Sequence, residues 1–210
     1  MNSNAENLRH KIAREAATLL YYGFEKEYKQ AKLKAAANLG VHVLPNNLEV
    51  ALELDAIAEE TEGPARTERL IQMRREALGI MKTLKAGCPV LIGSVWRGTI
   101  RRGSDIDIAV YHDAPAEVVE LLKKTELKIS RAQSMSVTKH GKAESSFHIY
   151  AETSTGLHVE IVVRNAEEAG RKRKCETFGD EIRGLKIPEL EKVLRENPAK
   201  RFLPESGVST

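Results

Sequence analysis

Through the first third of the chain, apolar residues recur at helical spacing within a polar background. Leu8, Ile12, Ala16 and Leu19 form a stripe in a stretch that continues to about Gly40, with Gly23 as a point of interruption, and this predicts helix. After Val41-His42-Val43-Leu44-Pro45, Asn46 followed three residues later by Glu49 has the form of a capping box. Val50, Leu54, Ile57 and Ala58 then continue the stripe as a second helix. Glu62-Gly63-Pro64 disfavours helix continuation and marks a boundary. A third helix is expected from Thr67 as N-cap to Gly87 at its C-terminal end, with Leu70, Ile71, Ala77, Leu78, Met81 and Leu84 on one face.

Beyond Gly87 the period changes from helical to alternating. Pro89-Val90-Leu91-Ile92 reads as a short buried strand ended by Gly93-Ser94, and Asp105 to Tyr111 alternates with Ile106, Ile108 and Val110 on one side. Asp113 as N-cap and Pro115 in the first turn open a helix with Val118, Val119, Leu121 and Leu122. Three strands are expected at about 127–137, 145–152 and 157–164, separated by the turns 139–142 and 153–156, the last two strands forming a hairpin. Asn165 with Glu168 predicts another capped helix, and Pro188 starts a final one that Asn197-Pro198 ends. The fold class is α+β with a mixed sheet, because strands and helices do not alternate strictly as in a doubly wound parallel sheet. Residues 1–62 form a helical segment, 63–165 a central domain that carries the sheet, and 166–210 a helical C-terminal segment.

A chain of 210 residues, 41% hydrophobic and 30% charged, closes a core without disulfide or metal staples and is not a disordered or fibrous sequence. Cys88 and Cys175 are too few and too far apart for a disulfide framework or a cysteine zinc site, which fits a reducing cytoplasm. The N-terminus lacks the plan of a signal peptide and no apolar run is long enough to span a bilayer, so neither secretion nor a membrane partner is expected. Charge is unevenly spread: Lys and Arg number 7 against 10 acidic residues in 1–62, 16 against 11 in 63–165, and 10 against 9 in 166–210. The positive excess of the central segment favours an anionic ligand there.

The chemistry concentrates in Gly93-Ser94-Val95-Trp96-Arg97-Gly98-Thr99-Ile100-Arg101-Arg102-Gly103-Ser104-Asp105-Ile106-Asp107. Residues two apart on a strand share a face roughly 6.6 Å apart, so Asp105 and Asp107 point the same way and their oxygens can converge on hard cations. Adjacent carboxylates are costly unless a cation neutralises them, and Mg²⁺ takes a sparse carboxylate set completed by water and substrate phosphates. The Gly93-Ser94 turn supplies the complement. Glycine lets the backbone approach a phosphate, and Ser94, at the start of a short helix, offers its hydroxyl and backbone N–H groups.

Gly93-Ser94, ten intervening residues and then Asp105-Ile106-Asp107 resembles the signature of the nucleotidyltransferase superfamily, which includes DNA polymerase β, CCA-adding enzymes, poly(A) polymerases and the small minimal nucleotidyltransferases. Arg97-Gly98-Thr99 and Ser104 before the first Asp strengthen the resemblance, whose motif covers about residues 90–111. It implies a third carboxylate on a strand beside the Asp-x-Asp strand. Glu160, a charged residue interrupting the apolar run of residues 158–163, is the choice, with Glu152 as the fallback. The implied mechanism has two Mg²⁺ ions, or Mn²⁺ in their place, held by Asp105, Asp107 and Glu160, with Glu160 on the side of the attacking hydroxyl. Gly93 and Ser94 grip the phosphates of an NTP with Arg97, Arg101 or Arg102 adding charge, and Ser104 completes the nucleotide-binding set. NMP passes to an acceptor hydroxyl with release of pyrophosphate. The acceptor is left open between an RNA 3′ end, a protein side chain and a small molecule, and a partner protein is compatible with the helical flanks.

Other signals are weaker. The basic run Arg171-Lys172-Arg173-Lys174 is flanked by acidic residues without aromatic interleaving, and reads as a solvated face rather than a nucleic-acid patch. Trp96 reads as core and His158 as a packed strand residue. No Gly-x4-Gly-Lys-Ser/Thr and no His/Cys set at zinc spacing is present. Two competing readings stand beside the enzyme. One is a non-catalytic nucleotide- or protein-binding module on the same fold, and the other a glycosyltransferase that uses Asp-x-Asp, which leaves Gly93-Ser94 unexplained.

Overall fold

The apolar stripe of the first third folds into three helices in the computed structural model, which describes residues 2–139 and 142–204. These are α1 (Asn2–Tyr21), α2 (Tyr28–Asn38) and α3 (Asn47–Glu62). The capping box forms: Glu49 N donates to Asn46 Oδ1 at 2.8 Å and Asn46 N to Glu49 Oε2 at 2.6 Å. Ile12, Ala16 and Leu20 of α1 pack with Ala31 and Ala35 of α2 and with Val50 and Ile57 of α3 in one apolar cluster. The many alanines let these helices approach closely. The buried Asp55 carboxylate accepts from the Arg66 guanidinium, which also reaches Glu59. Contacts divide the chain into two compact units, one holding the chain up to Arg66 with Lys174–Glu181, the other Thr67–Arg173 with Ile182–Phe202.

The second unit is built on a six-stranded mixed sheet. Its strands are β1 (Val90–Ile92), β2 (Ile106–Tyr111), β3 (Lys128–Lys139), β4 (Lys142–Glu152), β5 (His158–Arg164) and β6 (Leu185–Lys186), in the order β3-β4-β5-β2-β1-β6. Only β2 and β5 run parallel, and the other neighbours are antiparallel. The helices are α4 (Pro64–Thr83), α5 (Gly93–Arg97), α6 (Pro115–Leu122) and α7 (Ile187–Glu196). Alternation puts Ile106, Ile108 and Val110 of β2 and Val159, Ile161 and Val163 of β5 into one core with Met73, Ala77 and Met81 of α4, Leu122 of α6 and Leu190 of α7. On the opposite face of β2 and β5, Ala109 and Val162 are buried, whereas Asp107 and Glu160 are only partly so. This is the α+β class with a mixed sheet expected from the pattern.

Local signals misled at four places. The third helix begins at Pro64, three residues before Thr67, because proline presets a helical φ and its missing N–H costs nothing in a first turn. Asp113 does not cap α6, whose N-cap is Ala114. The Asp113 carboxylate instead accepts from Ala166 N at 2.9 Å, a tertiary bond that outcompetes the local one. Asn165 and Glu168 open only a single 3₁₀ turn, Ala166–Glu168, with no side-chain cap. The C-terminal stretch also contributes β6, whose two residues are too few to show alternation. The turn between β3 and β4 includes His140 and Gly141, which lie outside the described residues.

Candidate active site

Strand β1 delivers the chain to Gly93, which starts α5 with φ +70°, a left-handed conformation that favours glycine. β1 pairs antiparallel with β2, so that Ile92 lies opposite Asp107 and the turn after β1 falls beside that carboxylate. A Cβ at Gly93 would overlap Asp107 Oδ2 and crowd its Cγ and Cβ. Ser94 follows, half-buried, and its carbonyl accepts from Gly98 N at 2.8 Å and Thr99 N at 3.0 Å, closing the one-turn helix. Val95 and Trp96, both in the core, hold α5 against the sheet.

On the other side of β2, parallel pairing with β5 sets Asp107 directly opposite Glu160. Directly paired positions share a face with Cβ atoms about 5 Å apart. Asp105 stands just before β2, two residues from Asp107 and half-buried. Burial, with the charges of Glu160 and Asp105, pushes the Asp107 carboxyl up to about 7. Burial also lifts Asp105, His158 pulls it back, and Glu160 adds to the rise. Three acids therefore share one electrostatic neighbourhood.

The remaining expected residues are placed differently. Arg97, expected at the phosphates, is 3% exposed. Its guanidinium donates to Phe202 O at 3.1 Å and lies 4.4 Å from the Trp96 ring centroid. A desolvated guanidinium needs such partners, and this one is spent on holding the segment that includes Phe202. Ser104 Oγ accepts from Arg101 N at 2.9 Å, while Ser104 N donates to Arg101 O at 3.0 Å, so that this side chain closes the loop leading to Asp105. The fallback Glu152 lies at the end of β4 opposite His158, away from the Asp107 register.

Register brings in residues that no local motif marks. Tyr150 of β4 pairs with Glu160, and Arg131 of β3 pairs with Tyr150, its guanidinium 4.4 Å from the ring centroid. His148, two residues before Tyr150 and on the same face, has Nδ1 2.6 Å from Glu160 Oε1 and Nε2 2.8 Å from Ser146 Oγ. Burial, then the charge of Glu160 and a hydrogen bond to it, raises the Tyr150 phenol above its ordinary range. The only sequence signal for these residues is a polar alternation, Ser146, His148, Tyr150, along a strand whose other face is apolar.

Carboxylate oxygens are the donor type a hard divalent cation takes. The raised carboxyl of Asp107 marks a place where positive charge would be stabilising. Among the described residues no three His, Cys, Asp or Glu side chains are gathered closely enough to hold an ion by themselves. Mg²⁺ does not require that, since it binds through one or two carboxylates and fills its shell with water and substrate phosphates. Among the described residues no helix is long and apolar enough to cross a membrane.

Residues 75–179, half of the 210-residue chain, match the family model described as nucleotidyltransferase domain. A solved structure titled "structure of GLD-2/RNP-8 complex" matches at 9% identity over 58% of this chain and 40% of that chain, with a TM-score of 0.33. The chain thus spans well under half the length of that match. No curated protein matches the sequence at a significant level.

Proposed function

The chain belongs to the nucleotidyltransferase domain family, and from that premise we propose that it is a Mg²⁺-dependent enzyme transferring NMP from an NTP to an acceptor hydroxyl with release of pyrophosphate. The observation that carries the reading is the register in which β2 sets Asp107 beside Gly93 on one flank and opposite Glu160 on the other. Acidic side chains and a glycine turn then lie at one end of the same strand.

In this reading Asp105, Asp107 and Glu160 hold the divalent ions, two Mg²⁺ or Mn²⁺. When bound, these supply charge neutralisation of the entering and leaving oxygens in an in-line displacement at phosphorus. Gly93 lets the backbone approach the β and γ phosphates because it carries no side chain, and Ser94 adds a hydroxyl. Asp107, central in the row, keeps its carboxylate between the phosphate turn and Glu160. Glu160 stands on the side of the attacking hydroxyl and orients it. Arg97 and Ser104 support the turn and the loop rather than touching the nucleotide, as their hydrogen bonds to Phe202 O and Arg101 N suggest. The acceptor is an RNA 3′ end, a protein hydroxyl or a small molecule. The two free cysteines support a reducing, cytoplasmic setting.

Incubation with labelled NTPs, Mg²⁺ and candidate acceptors tests this, comparing the wild type with Asp105→Ala/Asp107→Ala. Transfer by the wild type alone supports the enzyme. Equal labelling by both proteins, or none with any acceptor, overturns it and leaves the non-catalytic module. Transfer from a nucleotide sugar instead favours the glycosyltransferase.

A further inference from the structure

Of the three acids, Asp107 is held by its short side chain and by its packing over Gly93. Glu160 has one more rotatable bond and is 25% exposed at its side chain, so its carboxylate has rotamers to lose before it can serve as a ligand or orient a hydroxyl. What restricts it comes from β4. His148 Nδ1 lies 2.6 Å from Glu160 Oε1, and the imidazole is itself only 16% exposed. A carboxylate only accepts, so Nδ1 carries the proton in this contact. At the other side of the ring Nε2 lies 2.8 Å from the Ser146 hydroxyl, which can either donate or accept and so satisfies that nitrogen. The Glu160 carboxylate thus sets the tautomer, and Ser146 holds the far side of the ring so that Nδ1 keeps facing Glu160. The chain of contacts runs along one face of β4, Ser146 and His148 being two residues apart, and crosses to β5 on the diagonal next to the Tyr150–Glu160 pair.

We propose that His148, set by Ser146, is a positioning residue that fixes the Glu160 carboxylate for divalent-ion binding. The inference rests on the metal-dependent reading above and adds to it a support absent from the Gly93-Ser94 and Asp-x-Asp signature. Hydrogen-bond partners of metal ligands work this way in general: they restrict the ligand's orientation, and their loss typically costs about 10- to 100-fold in affinity or activity. The role requires a neutral donor at the Nδ1 position and no proton transfer. Asparagine places an amide N–H close to where histidine has Nδ1, so His148→Asn is the conservative variant and His148→Ala the null.

The test is Mn²⁺ binding to the full chain, followed by titration calorimetry or by the electron paramagnetic resonance of free Mn²⁺, with circular dichroism as the folding control. Wild type, His148→Asn, His148→Ala, Ser146→Ala and Asp107→Asn are compared. The expected result is a dissociation constant raised about tenfold or more in His148→Ala, less in Ser146→Ala, and restored towards wild type in His148→Asn. Wild-type Mn²⁺ affinity in His148→Ala, with binding lost in Asp107→Asn, overturns the positioning role and leaves the metal site standing. Equal weakening in His148→Asn and His148→Ala also overturns it, since the donor would then not matter. Indistinguishable binding by the wild type and Asp107→Asn removes the metal reading itself, and the inference with it.

Discussion

Gly93 and Asp107 approach so closely that no side chain fits between them: a Cβ on Gly93 would overlap the Asp107 carboxylate. The contact ties the turn after β1 to the acid at the centre of the β2 row. Its φ of +70° adds a second demand for glycine. Gly93→Ala should therefore cost about 1–2 kcal/mol in backbone strain and displace Asp107 as well. The expected result is a lowered melting temperature with transfer reduced by more than tenfold. Wild-type kinetics in this variant would remove the turn from the site.

Asp107 makes the unliganded fold pH-sensitive. Its carboxyl titrates near 7 in the folded chain against an ordinary value of 3.8, so folding favours its protonated form. Stability from this group is greatest below about pH 4, declines as the pH rises towards 7, and is fully lost above that. Asp107→Asn, which cannot ionise, should be more stable than wild type at pH 8 by on the order of 4 kcal/mol, the difference shrinking to near zero at pH 4. Urea unfolding at the two pH values, with chelator present, measures it.

Adding the ion should reverse that penalty. A ligand that binds only the folded state stabilises it by about 2.7 kcal/mol at a hundredfold excess over its dissociation constant. Mg²⁺ with NTP is expected to raise the wild-type melting temperature at pH 8 by several degrees, while Asp107→Asn stays unchanged and EDTA cancels the gain. Equal shifts in both proteins would place the ion elsewhere.

Among the described residues, Arg74 is the largest fully buried side chain. Its guanidinium donates to four carbonyls, Val95 O, Trp96 O, Pro198 O and Lys200 O, at 2.7–3.1 Å, thereby joining α4, α5 and the segment after α7. Burial lowers its pKa to about 10, leaving it charged at neutral pH. Arg74→Met strips those acceptors of a donor and should cost roughly 3–4 kcal/mol, at about 1 kcal/mol for each. Arg74→Lys should recover only part of it, because an ammonium lacks the planar fork. Denaturant midpoints decide between these outcomes.

How far local chemistry reaches shows in the capping residues. Asn46 and Glu49 cap α3 because both partners lie within one turn, so the pattern and the bond coincide. Asp113 carries an equally good local signal, yet its carboxylate goes to Ala166 N, 53 residues away. Arg97 shows the same limit in the site. Its place in a basic loop suggests a phosphate ligand, whereas it is buried, with its guanidinium over the Trp96 ring and donating to Phe202 O.

The chain's own pattern determined the α+β class, the strands with one apolar face, and the turn and Asp-x-Asp that carry the candidate chemistry, because helical and strand periods, glycine turns and carboxylate spacing are properties of neighbouring residues. Only the tertiary structure decided which strands lie side by side, and in what register. It is this pairing that sets Asp107 between Gly93 and Glu160 and brings His148 and Tyr150 to Glu160. Register follows from burying whole strand faces against α4, α6 and α7, a requirement of the entire core that no short window of sequence contains.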